Sequence, residues 1–238
     1  MSNPVFNEKR IENIVATTGE AMTVSGTISK TMFLAVVTAG TAAMSWSSAP
    51  ALGMPILIAG IIVGLVAVLV ASWKPQTSLL LAPVYAVAEG GALGVISAMY
   101  NTQSNGIVLQ AVLITFGILF AMLSLFQLRI ITVTDKFRSI VISCTVGIAI
   151  VYALSMVLML FHINIPFLHS SSTLGIGISL FVIVIAAMNF LLDFDNIEKG
   201  AAADAPKYYE WMAGLGVLVT LVWLYLEVLR LLSNLNRR

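Results

Sequence analysis

Long stretches without charge alternate with short polar breaks along most of this chain, from about residue 29 onward. A helix needs about 20 apolar residues to cross the hydrocarbon core of a bilayer. The pattern predicts seven membrane-spanning segments, at about 29–46, 54–73, 78–99, 107–127, 139–161, 173–193 and 212–234. No interval between them could hold a soluble domain. The pattern therefore predicts an all-α integral membrane protein.

Composition agrees with this class. The chain has 238 residues, of which 59% are hydrophobic and 10% charged, whereas soluble proteins carry about 25% charged residues. The predicted organisation is a polar segment at 1–28, a membrane domain at 29–234 and a short basic tail at 235–238. The net charge of +1 gives no global field that would favour nucleic acid. The single cysteine, Cys144, excludes an intramolecular disulfide.

The distribution of basic residues predicts the orientation. Lys and Arg occur before segment one and after segments two, four and six, whereas the loops after segments one, three and five have none. Basic loops face the cytoplasm. We therefore expect a cytoplasmic N-terminus and a multi-pass position in the inner (plasma) membrane.

The last segment leaves two topologies open. It has only about 14 apolar residues, from Ala213 to Leu226, before Glu227 and Arg230, a length that can also mean a re-entrant segment. A crossing segment places the C-terminus outside the cell, whereas a re-entrant one returns it to the cytoplasm.

Ionisable side chains inside the segments are the main candidates for function, because each costs about 2.5–3.5 kcal/mol at mid-membrane on insertion scales. Glu89 lies in the middle of segment three. Asp193 lies at the inner end of segment six, in NFLLDFDNIEKG, and Glu227 and Arg230 lie in segment seven. Buried carboxylates of this kind most often handle ions or protons.

Each candidate also has a structural interpretation. Glu227 and Arg230 are three residues apart and can pair on one helix face, and Glu89 could be neutral and hydrogen-bonded. The acids that follow segment six could be a solvated helix end. That interpretation is favoured for Glu198, which precedes Lys199, and is open for Asp195.

Catalytic patterns do not emerge from the sequence. The last segment lacks a lysine for a Schiff base, the only histidines (His162 and His169) share one loop, and no phosphate-binding glycine loop occurs. We therefore predict that the protein is not an enzyme and has no cofactor. Small residues at Gly60 and Gly64, and another set that includes Gly90 and Gly94, indicate close helix packing.

Three stretches of the chain resemble the Bax-inhibitor family, also called the transmembrane Bax-inhibitor-motif proteins. They are YAVAEGGALGVIS in segment three, NFLLDFDNIEKG in segment six and APKYYEWMAGLGVLVTLVWLYLEVLRLL in segment seven. The opening SNPVFN and the TVTDKFR before segment five resemble the YccA-like bacterial branch. The resemblance covers nearly the whole chain.

The resemblance implies seven helices, the seventh central and wrapped by the other six, and a pH-sensitive calcium leak. It also implies that a carboxylate at the inner end of helix six and one in helix seven form the gate. Asp193 matches the first position and Glu227 the second, through LYLE, where the family often has Asp. A basic residue near the inner end of helix two can join them, and Lys74 stands there.

Physical chemistry makes such a gate reasonable. Two neighbouring carboxylates cannot both ionise cheaply, so they titrate as a coupled unit, and hard oxygen ligands suit calcium. The first hypothesis is therefore a pH-sensitive calcium or other cation leak channel, gated by Asp193 and Glu227. The same hypothesis gives supporting charges and a transient calcium set. The supporting charges are Glu89, Arg230, Asp195 and Lys74, and the calcium set is Asp193, Asp195 and Glu227.

Two other functions fit the sequence. The chain could be an interaction protein that modulates proteolysis or a stress response without flux, with its polar N-terminal 25 residues docking a membrane protein partner. It could also be a proton-coupled transporter that uses Glu89 and Glu227. In all three cases the lipid bilayer is the surrounding partner.

Overall fold

The computed structural model describes residues 21–160 and 173–236, and nearly all of them are helical. A short 3₁₀ helix, Pro75–Thr77, joins the first two long helices. The long helices are α1 (Val24–Trp73), α2 (Ser78–Gln103), α3 (Ile107–Gln127), α4 (Asp135–Leu160), α5 (Thr173–Ala202) and α6 (Tyr209–Asn236). In the described part of the chain, these six are long and apolar enough to cross a membrane. The chain is therefore a multi-pass, all-helical membrane protein.

Three groups of residues discussed from the sequence lie outside the described residues. They are the first 20 residues of the polar N-terminal segment, the loop that contains His162 and His169, and the terminal pair Arg237 and Arg238.

Helices suit these segments because a helix satisfies its backbone polar groups internally, where lipid offers no partner. Hydroxyl side chains inside the helices follow the same rule. Thr38 donates to the carbonyl of Leu34 at 2.9 Å and Thr115 to that of Ala111 at 2.7 Å. These threonines therefore sit in buried positions without an unpaired hydroxyl.

The predicted interruption between the first two segments is wrong, because the helix is continuous there. The chain stays helical through 46–53 and continues as one helix of 50 residues, with Pro50 and Pro55 inside it. Proline removes one backbone donor and bends a helix, and it does not have to end it. Because a straight helix of this length would be about 75 Å long, α1 cannot be a single straight crossing.

Contacts with α2 show that α1 doubles back. A side chain at Gly90 of α2 would contact Thr38 in the first half of α1, and one at Gly94 would contact Ala42. The first half of α1 therefore runs in the same direction as α2. In its second half the order is reversed, since Gly60 faces Ala92 whereas Gly64 faces Tyr85 and Glu89.

The ends of α1 give the same result. Thr23, the N-cap of α1, donates to Glu210 in the first turn of α6. Ser78, five residues after the end of α1, donates its hydroxyl to the carbonyl of Tyr208 at 3.0 Å. Both ends of α1 therefore lie beside the start of α6.

The last helix is the most buried of the six. In the most apolar 18-residue stretch of each helix, 61% of the residues are buried in α6, against 11–44% in the other helices. It is one continuous helix of 28 residues, about 42 Å long at 1.5 Å per residue, which is sufficient to cross the hydrocarbon core.

The described residues form two compact units. The first combines the described part of Met1–Met99 with Asp195–Val219, and the second combines the described part of Tyr100–Phe194 with that of Thr220–Arg238. The first unit contains α1, most of α2, the end of α5 and the beginning of α6. The second contains α3, α4 and the remaining parts of α5 and α6.

Candidate functional site

Asp193 is held by the last helix. Its carboxylate accepts a hydrogen bond of 2.7 Å from the hydroxyl of Thr220. Asp193 is half-buried and Thr220 is buried, and the residues just before Asp193, Phe190 to Leu192, are buried as well. Asp193 therefore belongs to the packed part of α5 and is not a solvated helix end.

Glu227 lies in a three-residue polar group of the second unit. Its Oε1 accepts a hydrogen bond of 2.7 Å from the hydroxyl of Tyr152 on α4 and pairs with Arg230 at 3.2 Å. Arg230 also donates to the Tyr152 hydroxyl at 2.7 Å, and its guanidinium lies 5.0 Å from the centre of that ring. The pairing of Glu227 with Arg230 predicted from their spacing is confirmed, and Tyr152 joins them.

The two carboxylates predicted as a gating pair thus attach to α6 at different levels. Thr220 and Glu227 are seven residues apart, so they lie on the same face of the helix, about 10 Å apart along its axis. The structure gives Asp193 a hydroxyl partner and Glu227 a tyrosine and an arginine. A gating role for the two acids stays a prediction.

The other residues singled out from the sequence lie in the first unit. Asp195 is buried and pairs with Lys199 at 2.7 Å, which decides the question left open for this residue against a solvated position. Glu89 is half-buried beside Gly64 and Tyr85, and Lys74 is exposed at the C-terminal end of α1. The expected association of Lys74 with the acids stays a prediction.

Glu210 forms a polar cluster that the sequence did not indicate. Its side chain is fully buried, accepts hydrogen bonds from the backbone and hydroxyl of Thr23 at 2.9 and 3.0 Å, and pairs with Lys30 and, at 3.3 Å, with Lys207. Lys30 also lies 5.6 Å from the centre of the Trp211 ring. This carboxylate therefore joins the beginning of α1 to the beginning of α6.

Backbone contacts surround the Glu210 cluster. The backbone N–H of Met22 donates to the carbonyl of Ala205 at 2.6 Å, and Ala21 and Pro206 form an isolated antiparallel bridge. Gly26 allows Glu210 to approach closely, since a Cβ at this position would lie 2.2 Å from Glu210 Oε1. The first turn of α1 is thus shaped to receive the buried carboxylate.

The described residues contain no group of three or more His, Cys, Asp or Glu side chains placed to hold a metal ion. The transient calcium set suggested from the sequence, Asp193, Asp195 and Glu227, stays a prediction.

Comparison with known families decides which family the chain belongs to. The family model described as Bax inhibitor 1 like matches residues 3–237, which is nearly the whole chain. This chain belongs to the Bax inhibitor 1 like family. No curated protein matches it. The family resemblance read from the sequence is confirmed, and the YccA-like branch stays a prediction.

Two of the polar contacts in this Bax inhibitor 1 like protein were missed from the sequence. Thr220 is a lone hydroxyl in the apolar run GVLVTLVW, seven residues before Glu227. Its position on the same helix face as Glu227 is the sequence feature that could have indicated its role. Glu210 had only one readable partner, Lys207 at i−3, because Thr23 and Lys30 lie 187 and 180 residues away in the sequence.

Proposed function

We propose that this Bax inhibitor 1 like protein is a pH-sensitive cation leak channel, with calcium as the first candidate ion. The contact between Asp193 on α5 and Thr220 on α6 is the observation that carries the proposal. It places a carboxylate between two apolar helices, where a charge is costly and therefore most often belongs to a path for ions or protons.

The proposed control of conduction uses two levels of α6. Asp193 bound to Thr220 holds α5 to α6, and Glu227 bound to Tyr152 holds α6 to α4. Protonation of either carboxylate removes a negative charge and weakens hydrogen bonds that it accepts. Acidification would then alter both contacts between the last helix and its neighbours, which is the basis for a pH-sensitive leak.

The proposed topology has seven crossings, with the N-terminus in the cytoplasm and the last helix central. The fold-back of α1 supports two crossings by that helix, and the large buried share of α6 supports its central place. The hydrogen bond of 2.9 Å between Asn236 and Ser104 supports a C-terminus on the same side as the loop between α2 and α3. The basic loops favour the inner membrane orientation.

Cysteine labelling tests this topology. In a variant that lacks Cys144, a Ser47→Cys substitution at the exposed bend of α1 should react with a membrane-impermeant maleimide added to intact cells. An Asp204→Cys substitution in the loop between α5 and α6 should react only after the membrane is permeabilised. Equal protection of both positions in intact cells would contradict the proposed fold-back across the membrane.

Flux measurements in liposomes test the channel. Thr220→Val removes the hydroxyl that binds Asp193, and a hydrogen bond to a charged group contributes about 1.5–3 kcal/mol. We expect calcium leak at neutral pH to rise about tenfold or more, since about 1.4 kcal/mol corresponds to a factor of ten. Asp193→Asn should flatten the dependence of the leak on pH.

Thr115→Val is the matched control, because Thr115 is equally buried and donates only within its own helix, to Ala111. This variant should leak like the unmodified protein. Flux from the unmodified protein equal to that of empty liposomes at every pH would refute the channel and leave the interaction protein as the better hypothesis.

A further inference from the structure

Glu89 stands apart from the carboxylates described above because no basic residue in the described part of the first unit pairs with it. It lies near the middle of α2, and its Oε2 reaches Gly64 in the second half of α1, 2.9 Å from where a Cβ would be. Tyr85, one turn earlier on the same helix, is buried beside the same glycine.

The basic residues in the described part of the first unit are engaged elsewhere or distant along their helices. Lys30 and Lys207 pair with Glu210, and Lys199 pairs with Asp195. Lys74 lies ten residues beyond Gly64, about 15 Å along α1, and is exposed. The second half of α1, from residue 54 to 73, contains no titratable side chain at all.

An ionised carboxylate among apolar helices is unfavourable without a counter-charge. Since the neighbouring helix offers none to Glu89, its stable form needs a cation from solution. The proton is the smallest such cation. Gly64 leaves room for the carboxyl group, whereas a larger residue would press on it.

We propose that Glu89 is a proton-binding site in the seam between α1 and α2, separate from Asp193 and Glu227. In this seam, Glu89 and Tyr85 both lie against Gly64 of α1. A proton that binds there neutralises one charge in the middle of α2. The site gives the protein an acid-sensitive position whose occupancy does not depend on whether Asp193 controls conduction.

Infrared difference spectroscopy on the full-length protein in liposomes tests the site. Between acid and alkaline buffer, the unmodified protein should show the C=O band of a protonated carboxylic acid, and this band should be lost in Glu89→Gln. Gly64→Ala keeps the carboxyl group but displaces it, so the pH at which the band appears should shift. Asp204→Asn, which changes an exposed acid, should leave the band in place.

Each other outcome contradicts the proposal. If no band depends on Glu89 at any pH, the residue does not bind a proton. If the Glu89 band persists through the alkaline range, the side chain is permanently neutral and exchanges nothing. If calcium or sodium chloride at constant pH removes the band, the ligand is a metal cation instead of a proton. A midpoint that is the same in Gly64→Ala would place the carboxyl group elsewhere.

Discussion

Glu210→Gln should lower the stability of the folded protein by about 3 kcal/mol, because breaking a buried ion pair leaves the remaining charge uncompensated. Glutamine has the shape of glutamate but no charge, so Lys30 would lose its buried counter-ion and Lys207 one of its partners. The two hydrogen bonds from Thr23 would also lose the charge of their acceptor. The measurement is the midpoint of thermal or denaturant unfolding in detergent micelles.

Asp204→Asn provides a matched control for Glu210→Gln. It removes one negative charge from the loop that precedes α6, but Asp204 is exposed and has a left-handed backbone with φ of 48°. Asparagine adopts this conformation readily, so the variant should unfold at the same midpoint as the unmodified protein. If Glu210→Gln unfolds at the same midpoint as this control, the buried cluster contributes nothing to the stability of the folded protein.

Gly94→Ala should separate α1 from α2 and destabilise the protein by about 1–3 kcal/mol, the usual cost of adding a methyl group to a packed core. The new Cβ would lie 2.1 Å from the carbonyl oxygen of Ala42 and 2.0 Å from the hydroxyl of Ser45. Since the first of these atoms belongs to the backbone of α1, a change of rotamer cannot relieve the contact. Unfolding in detergent measures the loss.

Gly40→Ala tests whether the effect comes from packing or from the loss of a glycine. Gly40 also lies inside a helix, but nothing stands within 4 Å of the position of its added Cβ. Alanine favours helix over glycine by about 1 kcal/mol, so this variant should be as stable as the unmodified protein or slightly more stable. Equal losses at Gly40 and Gly94 would argue against close packing at the α1–α2 seam.

The helical segments could be predicted because they depend on local composition. Runs of apolar residues define the positions of α2 to α6, and the spacing of Glu227 and Arg230 defines an ion pair within one turn. The small residues Gly60, Gly64, Gly90 and Gly94 were also recognised as packing positions, and all four face close neighbours in the structure.

The remaining features depend on contacts between distant parts of the chain. The interval between the first two predicted segments indicated a break, but the helix continues through it, with Pro50 and Pro55 inside, and its two halves pack on the same neighbour, α2. The partner of Asp193 could not be chosen from the sequence, since Thr220 and Glu227 share one face of α6. Glu210 lies just before the predicted start of segment seven, and its role could not be predicted because its partners Thr23 and Lys30 belong to the beginning of α1.

The join between Thr23, Lys30 and Glu210 has a consequence for biosynthesis. A ribosome adds about 5–20 residues per second, so the 187 residues between Thr23 and Glu210 take about 10–40 s to make. During that interval Lys30 remains a cation without its final counter-ion, near the start of the first inserted segment. In the topology proposed above, its charge holds that end on the cytoplasmic side until the last helix arrives to neutralise it. Lys30, which joins the first helix to the last in the folded protein, thus also guides the orientation of the nascent chain in that topology.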